Sequence, residues 1–366
     1  MSVFWNSRTK NLSPYIPGEQ PRDRRFIKLN TNENPYPPSP GVIEAIAGAA
    51  DELRLYPDPA CTLLREAVAA RYGLRPEQVF AGNGSDEVLG FAFGAFFAGT
   101  AQGAPPILFP DITYSFYPVY ARLWDIPFRT VPLDGDFRIA AADYMAPSGG
   151  VVIPNPNAPT GTALSLDDVF SMAECLEKQG KVLILDEAYI AFAGRDCSAI
   201  GHVDRHPNLL VVHTLSKSAS LAGLRVGYAV GDEPLIQGLC RIRDSFNSYT
   251  LDRLALAGAV AAVSDAAYYD GINRKVVATR DRVTEALRGL GFTVLPSAAN
   301  FVFAKAPGIR GAELFSALRE RGILVRHFNN ERISDFLRVS VGTNDDMDVF
   351  LDNCGEIMSS MARSGK

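Results

Sequence analysis

The chain has 366 residues, 47% of them hydrophobic and 21% charged, with a formal net charge of −5. That is enough apolar matter for one or two packed domains, and the acidic balance argues against nucleic acid as a partner. The five cysteines, at 61, 175, 197, 240 and 354, form no CxxC pair; neither a zinc site nor a disulfide framework is indicated, and a reducing cytoplasm fits.

In chain order, the first 35 residues are rich in proline and asparagine and predict an extended arm. The opening MSVFWNSRTKNLSPY has no apolar signal core. In AGNGSDEVLG (81–90), Gly82 and Gly84 permit tight turning, and Ser85 and Asp86 open an apolar helix. Backbone N–H groups at such a start suit a phosphate, and an ordinary capped turn is the alternative. Residues 88–110 carry no charge, but four glycines, Gln102 and Pro105-Pro106 interrupt them. They read as a buried helix, a turn and a strand rather than a membrane span.

Strands are predicted at 107–109, 151–153, 182–185, 209–212 and 226–230, each apolar on both alternating faces, with helices such as 166–179 between them. Such alternation predicts an α/β domain with a mostly parallel sheet covered on both sides, over 36–250. Beyond 250 the pattern changes to helices at 251–263 and 272–289, a strand pair near 292–304, a helix near 311–321, and strands near 323–327 and 336–341. That predicts a smaller α+β domain over 251–366.

In open parallel sheets, ligands collect beyond the carboxyl ends of the strands. The segments that follow the predicted strands are PDITYSFY, PNPNAPTG, DEAY and HTLSK. They supply Tyr114, Asn155, Asn157, Asp186, Tyr189, Ser216 and Lys217: an acid, phenols, amides and an amine. Each has a plainer alternative: Asp186 as a helix cap, Tyr114 as core, the asparagines as turn formers. Lys217 is harder to explain away, because no acidic residue lies within eight positions of it. Burial without a partner lowers a lysine pKa and leaves a nucleophilic amine suited to Schiff-base chemistry. Arg225 offers a second phosphate contact or a surface ion pair. An imine-forming amine, a carboxylate and a phosphate cradle together match pyridoxal 5′-phosphate. HVDRH, with His202 and His206, has ligand-like spacing but no further ligands, so no metal is expected.

The segments LSPYIPGEQ, KLNTNENPYPPSP, LYPDP, GNGSDE, NPNAPTG, DEAY, TLSKSASLAGLRVGY, ANFVF, and ILVRHF followed by LRVSVG occur in this order. The chain thereby resembles the fold-type I aminotransferases, and closely the histidinol-phosphate aminotransferase family, over nearly its whole length. The resemblance implies the following roles. Lys217 would bond the cofactor, Asp186 would pair with its pyridine nitrogen, and Tyr189 would meet its phenolic oxygen. Tyr114 would stack on the ring. Ser216, Arg225 and the amides of Ser85 and Asp86 would hold the phosphate, with Tyr56 reaching the partner's phosphate in a homodimer. Arg338, Arg326 and Tyr15 would meet the substrate's anionic end, and Asn32 would belong to an arm folding over the site. Where the family has asparagine before PTG this chain has Ala158, so either Asn157 substitutes or Tyr189 acts alone. The implied reaction is transamination of L-histidinol phosphate with 2-oxoglutarate, in the cytoplasm. Aromatic amino-acid transamination and decarboxylation of threonine phosphate are the alternatives on the same fold. A regulator of this fold would carry a DNA-binding domain, for which the arm leaves no room.

Overall fold

The computed structural model describes residues 3–21, 24–97 and 103–364. Part of the turn expected within 88–110 and part of the arm therefore lie outside the described residues. A seven-stranded sheet organises the molecule, in the order Val79–Asn83, Val226–Val230, Leu209–Thr214, Leu183–Asp186, Val151–Pro154, Ile107–Pro110, Phe128–Val131. All neighbours pair in parallel except at Val226–Val230, which runs antiparallel to both of its neighbours. The fold is α/β with a mostly parallel sheet.

The alternation of side chains across each strand sorts them into two cores. Val151, Ile153, Leu183, Leu185, Leu209 and Val211 pack on one face. Val152, Ile184, Leu210 and Val212 pack on the other, against Leu89 and Phe93 of the helix Gly84–Phe96. Each such side chain, fully removed from water, contributes about 1.5–3 kcal/mol. This is why the chain places these runs at the centre of the sheet.

Two strands of this sheet were not predicted, and both lie at its edges. Val79–Asn83 ends in glycine and asparagine and reads as a loop. Phe128–Val131 exposes Arg129 and Thr130 and lacks an apolar run. The helix Ala266–Gly289 starts six residues before the predicted 272, because Asp265 caps it by accepting from the amide of Tyr268.

A second, antiparallel sheet runs in the order Arg326–His327, Phe336–Ser340, Phe301–Lys305, Thr293–Val294. It has its own core, which includes Val283, Leu287, Val302, Leu314, Leu337 and Phe350. The arm is tied to this part of the molecule: Ile27–Lys28 pairs in parallel with Ile323–Leu324. The helix Arg253–Ser264 instead packs on Pro40–Ala49 and Thr62–Tyr72. Among the described residues no helix is long and apolar enough to cross a membrane.

Candidate active site

A cavity of about 260 Å³ opens beyond the carboxyl ends of the central strands, closed from the other side by the arm and the second sheet. Of the site residues named from the sequence, all but Tyr56, Asn155 and Asn157 line it; Asn155 is buried and its Oδ1 accepts from the amide of Leu164 (2.9 Å).

Strand Leu209–Thr214 delivers Lys217. Beyond its end the amide of Ser216 donates to Thr214 Oγ1 (3.1 Å), and the turn directs the amine inward, where Lys217 Nζ donates to the carbonyl of Thr31 (2.8 Å). Burial lowers the amine's pKa to about 8, and Arg338 pushes in the same direction. Strand Leu183–Asp186 delivers Asp186, which is 5% exposed. Its carboxylate accepts from Tyr117 Oη (2.8 Å) and from the amide of Ala188 (3.2 Å). Burial outweighs these bonds and raises its pKa to about 6. Among the described residues Asp186 has no cationic side-chain partner within ion-pair distance, so this carboxylate faces the cavity ready for a protonated nitrogen.

One end of the cavity forms a cradle. The helix Gly84–Phe96 presents its first amides there. Strand Val226–Val230 passes so close that a Cβ at Gly227 would stand 2.3 Å from the Ser85 nitrogen, and one at Gly84, whose φ is +76°, would meet Arg225 Nη2 at 2.6 Å. Arg225 itself adopts φ +55°. Its guanidinium donates to Ser216 Oγ (3.2 Å) and to Asp86 Oδ2 (2.9 Å). Asp86 Oδ1 accepts from Tyr114 Oη (2.7 Å), which fixes that phenol at the cavity wall.

Tyr189 follows Asp186 by three residues and takes a hydrogen bond from Asn32 Nδ2 (3.0 Å). Asn32, at φ +59°, is locked by Ser340 and Asn300. Tyr15 stacks on Phe116, with ring centroids 4.4 Å apart. Arg338 donates to the carbonyl of Asn30 (3.0 Å). Arg326 is its direct partner across the antiparallel pair.

Asn157 requires a correction. It is fully buried, and its amide is used by Ile112 O (3.0 Å) and Thr160 Oγ1 (3.0 Å). Both protons of its Nδ2 are thereby spent on the loop, and the side chain does not line the cavity, which Ala158 lines instead. Tyr56 is 79% exposed and stacks on Tyr249 (4.8 Å), and Leu55 and Phe246 are exposed as well. It lies outside the cavity of its own chain. His202 and His206 pack against Phe170.

Three features were not read from the sequence. Tyr117 holds Asp186; its signal was a second phenol three residues after Tyr114. Thr31 meets Lys217 through a backbone carbonyl, which no side-chain pattern encodes. Behind the site, Glu187 accepts from the amide of Ala199 (2.8 Å) and pairs with His213 (2.8 Å), bracing the strands that carry Asp186 and Lys217.

The donor set fits pyridoxal 5′-phosphate: a closed-in amine, a buried carboxylate without a cation, and a glycine-shaped cradle with an arginine. The family model described as Aminotransferase class I and II matches residues 24–353. Histidinol-phosphate aminotransferase 1 of Bordetella parapertussis is 54% identical, with 98% of this chain and 100% of that one covered. Histidinol-phosphate aminotransferase 2 of Thiobacillus denitrificans is 53% identical over 96% and 97%. The crystal structure of histidinol-phosphate aminotransferase from Sinorhizobium meliloti in complex with pyridoxal-5′-phosphate superimposes with a TM-score of 0.89, at 26% identity and 99% coverage of both chains. On the family match and these relatives, the chain belongs to the class I and II aminotransferases.

Proposed function

We propose that the protein is a pyridoxal 5′-phosphate-dependent aminotransferase that converts L-histidinol phosphate and 2-oxoglutarate to imidazole acetol phosphate and glutamate, a step of histidine biosynthesis. The observation that carries the choice of substrate is the pair Arg326 and Arg338, placed opposite one another on the cavity wall. One bidentate arginine is sufficient for a carboxylate; a phosphate ester, bulkier and more highly charged, suits two.

When bound, the cofactor supplies an aldehyde that joins amines and a ring that withdraws electrons from the carbon losing its proton. Ser216, Arg225 and the amides of Ser85 and Asp86 would hold its phosphate. Asp186 would accept from the ring N–H and keep that proton in place. Tyr189, supported by Asn32, would meet the phenolic oxygen, and Tyr114 would cover the ring. Lys217 Nζ would bond the cofactor and, when free, would take and return a proton; a lowered pKa suits it to both tasks. Arg326, Arg338 and Tyr15 orient the substrate's anionic group.

We take the working unit to be a homodimer in the cytoplasm, with Tyr56 reaching the neighbouring subunit's cofactor phosphate. Exposed Tyr56, Tyr249, Leu55 and Phe246 support this. We divide the chain into an arm over 1–35, a large domain over 36–250 and a small domain over 251–366, with helix Arg253–Ser264 joining the last two.

The test is single-turnover spectroscopy of the bound cofactor with L-histidinol phosphate, phenylalanine and threonine phosphate in separate mixings. The fastest change belongs with histidinol phosphate. A faster reaction with phenylalanine would transfer the assignment to aromatic transamination.

A further inference from the structure

Two arginines opposite one another on neighbouring strands repel, and Arg326 and Arg338 are such a pair. Burial holds Arg338 below the ordinary arginine pKa, and Arg326 lowers it further. Arg338 has compensation: a hydrogen bond to Asn30 O and the face of Phe301, 5.4 Å from its guanidinium carbon. Arg326 has neither a hydrogen bond nor an ion pair among the described residues. Its favourable partner is the ring of Phe328, at 5.7 Å. The same ring stands 5.6 Å from Arg338.

We propose that Phe328 is a specificity-determining positioning residue, whose ring serves both guanidiniums and holds them turned into the cavity, where a phosphate monoester would meet both. This rests on the reading of the substrate as a phosphate ester. The negative face of an aromatic ring attracts a cation within about 6 Å of its centroid, so one ring stabilises two like charges before any anion arrives. The ring is itself held: Phe303, fully buried, meets it edge-on at 6.3 Å and 72°, and Phe336 stacks on Phe303 at 4.9 Å. The arm covers the far side, where a Cβ at Gly18 would stand 3.8 Å from Arg326 Nη1. Without the ring, Arg326 keeps its charge and loses its orientation, so the ordering of the guanidinium falls on the binding step.

The test compares holoenzymes of wild type, Phe328→Leu and Phe328→Tyr. Leucine keeps an apolar side chain and removes the ring; tyrosine keeps the ring. Methyl phosphate is the probe, as a competitive inhibitor of the reaction with glutamate. Phe328→Leu is expected to raise its Ki roughly tenfold, with the KM for glutamate moving less than about threefold and Phe328→Tyr near wild type. A merely structural role would shift both constants together and would not be rescued by tyrosine. Unchanged Ki in the leucine variant, equal losses for both ligands, or no inhibition of the wild type would each overturn the proposal. Failure of the wild type to use histidinol phosphate would instead count against the substrate assignment, and the inhibition series would still read the role of the ring.

Discussion

Lys217 Nζ is bound 2.8 Å from the carbonyl of Thr31, a residue 186 positions earlier in the chain. The arm thus occupies the amine until a reaction partner displaces it. Lys217→Ala should keep cofactor binding through Arg225 and the 84–86 turn, but the cofactor should dialyse away readily. Turnover should fall on the order of a thousandfold or more. Wild-type rates in the variant would remove the basis of the proposed reaction.

The lowered pKa of this amine makes a separate prediction. An ammonium cannot attack an aldehyde, so cofactor uptake by the apoprotein should accelerate as pH rises through about 8 and level off above it. An acceleration centred instead near the ordinary lysine value of 10.5 would show that burial does not govern the amine.

Asp186 should cost the apoprotein stability. Its folded-state pKa of about 6 lies above the ordinary 3.8. The folded state therefore binds this proton more tightly than the unfolded chain. The penalty is absent below about pH 4, grows as pH rises through 6, and is fully present above, at up to about 3 kcal/mol. Asp186→Asn should raise the apoprotein Tm by a few degrees at pH 7.5 and hardly at all at pH 4, while weakening the cofactor. Calorimetry at the two pH values is the check; a Tm gain of equal size at both would point to packing rather than charge.

Tyr189→Phe should shift the pH titration of the bound cofactor's absorbance by about one unit, the equivalent of one hydrogen bond to a charged oxygen. Asn157→Ala should leave that titration in place and lower Tm, since its amide serves Ile112 and Thr160. The reverse pattern would restore Asn157 to the site.

For Tyr56, the measurement is complementation. Tyr56→Ala and Lys217→Ala proteins, each nearly inactive, should regain part of the activity when their subunits exchange, because a mixed dimer carries one intact site. No recovery with exchange verified by mass would mean that each site is built from a single chain.

Arg326→Ala should reduce kcat/KM for histidinol phosphate by roughly ten- to a hundredfold, as expected for a charged hydrogen bond of about 1.5–3 kcal/mol. Glutamate, a weaker demand on the same wall, should lose less. Equal losses would make Arg326 a structural residue.

The central strands and the residues beyond their ends were legible because both are local: an apolar run, then the side chain that follows it. Lys217 and Asp186 were found this way. What escaped depends on contacts distant in sequence. The edge strand Phe128–Val131 has too little burial to show an apolar pattern, and it exists because Ile107–Pro110 offers it a partner. Tyr117 and Thr31 become meaningful only when strand ends and arm converge. Asn157 misled for the opposite reason: its motif is local, but the direction of its amide is set by Ile112, 45 residues earlier.

The contact between Gly227 and Ser85, which leaves 2.3 Å for any Cβ, also divides the protein into parts with different freedom to vary. The smallest side chain at 227 would lift the start of the helix off the strand and spread the cradle. No compensating change nearby can recover this, because the obstacle is backbone on both sides. A library randomised at 227 should therefore return glycine almost alone. The wall formed by Arg326, on a separate sheet, and Phe328, just beyond the end of its strand, is made of side chains free to be exchanged without disturbing the cradle. New substrate preferences on this scaffold should accordingly arise from that wall and from the arm around Tyr15 and Gly18, with the cofactor end inherited unaltered.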